Sequence, residues 1–541
     1  MRRSAFVAPC VHEFVTLGKA PKQGSIFQSA TEHCDKQLPE TSIYKLLHRE
    51  SHRLFADEMF TDLFLGTGRN CISPRILAVV MVLQRIEGLS DREAVDRFTF
   101  DARWKYAAGG LDADYPSFVH TVLVNMRARL RKSQRPDRIF EVVLNVARQA
   151  GFVGKRRVLD STALYDAVAT QDTITMIRSA IRGLLRVVSV ALETEIRAVL
   201  QRDDDYVTPG KPACDWDDEP AREALINALV QDAYAILGLL DDRKVDGDIK
   251  QALSLLATVV GQDIEQREDG VFHIVRGVAP DRVISTVDPE ARHGHKSSAR
   301  GFDGYKGHIS EDPDTEIITA TAVTAGNAAD SSVAVELLEE ALAGEAETSA
   351  ESSKVEVFGD TSYGTAAVVE HIEDKGGESN VKVQEPSARK GLYSKSDFAI
   401  DLDAGTVRCP RGVLVMIQPR ADGAGNANFA DHCADCPLRD RCTTSPHGRQ
   451  VKIHPHERTL ARKRAQQRDP VWKARYRATR PKVERKLAHL MRRRHGGRRA
   501  RVRGVERVRS DFALLAAAAN LRRLAMLQAR PTPPVTSRVS P

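Results

Sequence analysis

No uninterrupted apolar run in this 541-residue sequence is long enough to cross a bilayer. The longest is "ILAVVMVL" at 76–83, against the ~20 residues that a spanning helix needs. The opening residues, "MRRSAFVAPCVHEF", carry arginines, but their short apolar stretch is broken by Pro9. A signal peptide is therefore not expected, and a cytoplasmic protein with no membrane partner is. Cysteine is scarce: eight in a chain of this length do not make a disulfide framework. One segment nearly lacks acid, since residues 471–510 hold sixteen Lys or Arg against two Glu.

That basic block sits in a chain of net charge +7 whose remainder is nearly balanced, and "QRDDDYVTPGKPACDWDDEP" at 201–220 is acidic. The imbalance points to a polyanion, with nucleic acid first; the plainer alternative is a solvated helix face. The length exceeds what one core normally supports, so two to four domains are expected.

Residues 1–42 form an N-terminal segment of uncertain organisation. Residues 43–150 read as helical throughout. Ser73 and Pro74 open a helix that Gly88 stops, and Ser90 with Glu93 has capping-box spacing. Short helices with tight turns suit either helix-turn-helix DNA binding or a bundle used for dimerisation. "RRVLDSTAL" at 156–164 reads as a strand ending near Asp160. Residues of about 171–265 repeat apolar positions at helical spacing and read as a helical insertion. Strand patterns return at 301–310 and 316–326, followed by the helix "DSSVAVELLEEALAG" and the low-complexity link "EAETSAESS". A strand in "KVEVFGD" runs up to Asp360, a helix covers 366–377, and a last strand covers 380–386. The order predicts an α/β fold, a mixed sheet with helices on its faces. Beyond a loop-rich stretch at about 387–452, residues 457–495 are helical again. "ALLAAAANLRRLAML" is a final apolar helix, and 529–541 form a disordered tail.

Asp160 and Asp360 close strands that this order makes neighbours. Either alone is an ordinary turn or N-cap aspartate. Side by side they would repel and one pKa would rise, unless divalent cations lie between them. Two-metal carboxylate sites carry out phosphodiester chemistry, and carboxylate oxygens suit Mg²⁺.

Four cysteines fall within 34 residues: Cys409, Cys433, Cys436 and Cys442. Four thiolates suit tetrahedral Zn²⁺, with His432 or His447 able to replace one, and unbound thiols are the alternative. The role expected is structural, because a loop of this length has little core and zinc would supply its folding energy.

Taken in order, "VLDSTALYD", "DPEARHGHKSSARGFDGYKGHI", "TAVTAGNAADSS", "VFGDTSYGT", "CADCPLRDRC", "YRATRPKVERKL" and "AAAANLRRLAML" resemble the DDE transposases of bacterial insertion sequences, over roughly residues 45–525. The resemblance implies an RNase H-like catalytic domain over 151–528. It implies a catalytic triad of Asp160, Asp360 and Glu484 holding two Mg²⁺ ions, for which Mn²⁺ can substitute, and a cysteine-rich insertion. Relatives carry Tyr, Arg, Glu and Lys on the last catalytic helix. Here Tyr476, Arg480 and Glu484 are spaced by four on one face, no Lys follows, and Ala488 and Arg492 occupy that face instead. Pro481 is expected to kink the helix or to start a new one.

The implied function is metal-dependent cleavage at element ends and strand transfer into target DNA. Double-stranded DNA would be the partner, with a homodimer in the synaptic complex. A nuclease of the same fold that does not join ends, and an inactive DNA-binding regulator, are the rival readings. Tyr476, Arg480, Arg492, Arg498, Arg499 and Arg501 are the expected DNA contacts, with Lys296, Arg300 and Lys306 on a Gly-rich hairpin. His293, His295 and His308 in that hairpin read as surface residues.

Overall fold

The computed structural model describes residues 29–64, 71–275, 279, 281–297, 300–343, 354–388 and 391–529. The first twenty-eight residues, the link at 345–353 and the tail beyond 529 lie outside the described residues.

Short helices fill the N-terminal part. Pro74–Glu87 (α1) starts with proline at its first position and ends at Gly88 in the left-handed conformation, φ +70°. A Cβ at Gly88 would meet the Arg494 carbonyl at 2.7 Å, so only glycine lets the 494–496 loop dock there. The next helix, Asp91–Phe100, has the capping box formed by Ser90 and Glu93. Every residue of α1 from Ile76 to Ile86 is buried, which leaves it no free face to enter a DNA groove.

Six strands form one mixed sheet: β1 (Arg156–Tyr165), β2 (Arg292–Ser297), β3 (Arg300–Asp312), β4 (Ile317–Ala325), β5 (Glu356–Gly359) and β6 (Glu378–Val381). The order runs β2-β3-β1-β5-β6, and β4 pairs β3 as well. β1 is antiparallel to β3 and parallel to β5, which is parallel to β6. The strand read at 301–310 is thus the longer arm of a hairpin with β2. At Gly304, φ +138°, a Cβ would fall 2.2 Å from the Leu164 carbonyl. The strand read at 380–386 stops at Val381, because the side-chain amide of Gln467 takes both backbone groups of Val383 at 2.5 and 3.2 Å.

Alternation along β1 sorts its side chains. Leu159 joins Val357, Ala322 and Tyr363 under two helices, Ala334–Ala343 (α2) and Ala366–Asp374 (α3). Val158, Leu164, Ile309 and Phe358 face the other way, into a core shared with the N-terminal helices and the C-terminal ones. The segment 457–495 is three helices rather than one: Glu457–Arg468 (α4), Pro470–Thr479 (α5) and Pro481–Leu490 (α6). The final helix, Val505–Gln528 (α7), docks on β4 through buried Asn520, which accepts from Ile318 N at 2.9 Å and donates to its carbonyl at 2.8 Å. The N-terminal helices therefore share one core with the sheet.

The inserted helices, from Thr173–Leu185 to Gly247–Asp263, continue into a small hairpin ending at Ile274 and have a separate core. One of them, Glu219–Leu240, is long and apolar enough to cross a membrane. Its Leu229, Val230, Ala233 and Ile236 lie in that separate core. The stretch at 387–452 has more structure than a loop. Two three-stranded sheets built from very short strands enclose Phe398, Val407, Ala427, Phe429, Val451 and Ile453. Short strands separated by Asp/Gly turns give no long periodic signal, so sequence reading missed them.

Candidate active site

Parallel pairing sets Arg156, Arg157 and Val158 of β1 against Glu356, Val357 and Phe358 of β5. Two residues further along, this register brings Asp160 level with Asp360, both on the face of Val158 and Phe358. Asp160 does not end its strand, contrary to the sequence reading. β3 continues to pair β1 as far as Tyr165, whereas β5 stops at Gly359. Asp360 is also a turn residue, since its Oδ1 accepts from Ser362 N at 2.9 Å.

The third carboxylate comes from the helices beyond the cysteine region. Pro481 starts α6. Arg480 stays helical at φ −57°, ψ −39°, and its N–H bonds the Tyr476 carbonyl, because proline at a first helical position costs no hydrogen bond. Tyr476, Arg480 and Glu484 consequently keep one face. Val483, Leu487 and Leu490 seat α6 in the core, and buried Lys486 donates to the Glu316 carbonyl.

Arg480 binds all three carboxylates. Its Nη2 lies 3.0 Å from Asp160 Oδ1 and 3.5 Å from Asp360 Oδ2, and its Nη1 lies 3.3 Å from Glu484 Oε1. The guanidinium is buried and serves here as a counter-ion among the carboxylates. Burial pushes the Asp160 carboxyl up to about 6; Arg480 and the Ser161 N–H pull it down, and Asp360 adds to the rise. Tyr476 donates to the Gly359 carbonyl at 3.1 Å and stacks on Trp472 at 4.9 Å. Nothing in the sequence marked Trp472.

On the opposite face of β1, Ser161 donates to Asp330 at 2.6 Å, and Asp330 also holds Lys306 at 2.8 Å. Lys306 thus has an internal partner and does not stand free on the hairpin. His308 is fully buried, not a surface residue. It pairs across from Ser161 and bonds Tyr363 Oη at 2.9 Å and Thr324 Oγ1 at 3.0 Å. Burial lowers its pKa to about 4. A glycine-rich neighbourhood suggested exposure, but the long central strand buries the residue.

Residues 408–525 match the family described as Transposase DDE domain, and residues 32–129 match the one described as Transposase domain (DUF772). Both matches are to transposase families, and together they support a DDE transposase of an insertion sequence. No curated protein and no solved structure matches it. Glu484 and Arg480 lie inside the first matched segment, whereas Asp160 and Asp360 lie between the two.

The basic residues expected at a transposase's DNA surface divide. Arg492 and Arg499 are exposed, as are Lys296 and Arg300 on the β2–β3 hairpin. Arg498, half-buried, donates to Thr162 Oγ1 at 2.6 Å, Arg499 to the Ala167 carbonyl at 2.8 Å, and Arg501 to the Leu89 carbonyl. Arg498 and Arg501 are spent inside the fold, and replacing them would disturb it. His293 and His295 do lie on the hairpin, exposed.

Cys409, Cys433, Cys436 and Cys442 line one small cavity with His432, while His447 does not. All four are unpaired thiols. Burial raises the Cys442 pKa, and the other three cysteines add to the rise against Arg449. Soft sulfur donors converging on one space match the chemistry of Zn²⁺. Hard oxygens converging on a single cation, Arg480, match that of Mg²⁺. Among the described residues, no three His, Cys, Asp or Glu side chains are drawn close enough to hold a metal ion as they stand. In the carboxylate site the guanidinium occupies the space between them.

Proposed function

We propose that this transposase cleaves DNA at the ends of an insertion sequence and joins them to target DNA, with Asp160, Asp360 and Glu484 as its catalytic carboxylates. The observation that carries the reading is their convergence, from three separate elements, on the one guanidinium of Arg480. A buried and a half-buried aspartate held level, with a third acid on the same guanidinium, are costly to a fold with no use for them. The sheet order and the two helix-covered faces support reading the domain as RNase H-like.

The three carboxylates would hold two Mg²⁺ or Mn²⁺ ions. When bound, the ions activate water or a 3′-hydroxyl and stabilise the departing oxygen. The chain's own residues do the positioning. β1 and β5 hold the two aspartates level. α6 swings Glu484 in from outside, and its 63% side-chain exposure leaves it free to move toward a ligand. Arg480, displaced from the carboxylates, has the planar donor fork that suits a phosphate. Tyr476, propped on Trp472, offers an aromatic face at the site's edge. The cysteine cavity would hold a structural Zn²⁺. Two copies of the chain would bridge two element ends.

The test is incubation of purified protein with labelled end-containing duplex, Mg²⁺ and a target plasmid. Joined products support the proposal. Nicked ends without joining would make the chain a nuclease of the same fold, and retained binding without cleavage would make it a DNA-binding regulator.

A further inference from the structure

A cavity of ≈ 540 Å³ opens where the N-terminal helices meet the 496–502 loop and the start of α7. It joins the two segments that match transposase families. Six arginines and four carboxylates line it, and the carboxylates are all engaged. Asp91 takes Arg127 and Gln84, Asp511 takes Arg85, Glu93 caps its own helix at Ser90 N, and Asp137 takes Arg509 from outside the cavity. Arg499 and Arg501 donate to backbone carbonyls. Arg131 and Arg507 remain, and among the described residues neither side chain has a hydrogen bond or ion pair.

Arg131 stands on the helix Thr121–Lys132 and Arg507 in the first turn of α7. Burial and the like charges of Arg507 and Arg127 push the Arg131 pKa below its ordinary value. Arg131 is half-buried and Arg507 exposed, both line the cavity, and their like charges act on each other, a repulsion that an anion held by both would relieve. Guanidinium forks match phosphate oxygens two at a time, and the cavity has room for a phosphodiester with its flanking sugars.

One wall of the cavity is tied to the carboxylate strand. Tyr165 N donates to the Arg498 carbonyl at 2.8 Å and Ala500 N to the Tyr165 carbonyl at 2.7 Å, and Arg498 reaches Thr162, two residues along β1 from Asp160. We propose that this cavity seats a backbone phosphate of duplex DNA between Arg131 and Arg507, and so leads a strand along the loop toward Asp160. The choice of DNA over a free phosphate ester rests on the transposase reading; the anion site does not.

The experiment has two arms, each run on the full chain and on the double variant Arg131→Gln with Arg507→Gln. In calorimetry with inorganic pyrophosphate, the wild type binds and the variant binds at least tenfold more weakly. No binding by the wild type, or equal binding by both, overturns the phosphate site. In anisotropy with an end-containing duplex over a salt series, the variant's log–log slope falls by about one, since the one lost phosphate contact removes ~0.9. An unchanged slope overturns the DNA assignment. If the wild type binds no duplex at all, it is the transposase reading that fails, and the pyrophosphate arm still decides the cavity. Arg131→Lys with Arg507→Lys keeps the charge and retains the slope. Equal loss in both pairs of variants would trace the effect to packing and overturn the proposal.

Discussion

The Nη2 nitrogen of Arg480 lies 3.0 Å from Oδ1 of Asp160, a buried ion pair at the centre of the candidate site. The same nitrogen reaches Asp360 at 3.5 Å. One cation of the chain therefore neutralises two aspartates that the sheet register forces level. Exposed Glu484 adds little to this balance, because solvent screens it.

Removing that cation by Arg480→Met leaves Asp160 and Asp360 facing each other without compensation. In EDTA the variant is expected to lose about 3 kcal/mol, the scale for breaking a buried pair. Millimolar Mg²⁺ restores part of the loss by taking the vacated place. Denaturant unfolding with and without Mg²⁺ measures both effects. A variant equally stable in both conditions would count against these carboxylates as the metal ligands.

Asp160→Asn and Asp360→Asn should each reduce cleavage by at least about a hundredfold, the scale on which metal sites respond to altered ligation. Duplex affinity should hold within about twofold, because the basic surface is untouched. Gel assays of cleavage alongside anisotropy separate the two, and an Asn variant that cleaves at the wild-type rate removes its aspartate from the site.

Two glutamates of the C-terminal helices should respond in opposite ways. Glu484→Gln abolishes cleavage and joining and shifts stability by no more than about 0.5 kcal/mol, since its side chain is largely exposed. Glu457, by contrast, is buried, pairs with Lys395 and with Arg464 at 2.8 Å, and accepts from His454 N at 3.1 Å. Its burial among these partners makes it structural. Glu457→Gln is expected to cost about 3 kcal/mol of stability, read by thermal or denaturant unfolding.

His308 sets an acid limit to stability. Its pKa falls from 6.5 unfolded to about 4 folded because burial disfavours the imidazolium. Between those values the unfolded chain binds a proton that the folded one does not. Stability is therefore full above pH 6.5 and falls as pH drops toward 4, by up to roughly 3 kcal/mol. His308→Gln should lack this contribution to the pH slope, and unfolding curves at pH 7 and 4.5 make the comparison.

Protein purified under reducing conditions should contain about one zinc per chain. Cys433→Ser with Cys436→Ser should lose it and expose the 400–450 region to protease. Metal analysis that finds none removes zinc from the site, and the small core around Phe398 and Phe429 would then account for the fold of this region.

Local chemistry was legible in the sequence wherever a residue's task is set by its near neighbours. Ser90 and Glu93 read as a capping box and Gly88 as a helix stop, because each acts within one helical turn. The alternating run before Asp360 read as a strand, and spacing by four put Tyr476, Arg480 and Glu484 on one face. Only the tertiary structure decided what depends on contacts across long stretches of chain. Asp160 lies within its strand because β3, some 150 residues downstream, continues to pair past it. His308 and Glu457 are buried because of elements distant in sequence that cover them, and Lys306, Arg498 and Arg501 are occupied by partners that no spacing rule names. A charge in a sequence shows that an ion pair is available; which acid, carbonyl or cavity it meets is fixed by packing.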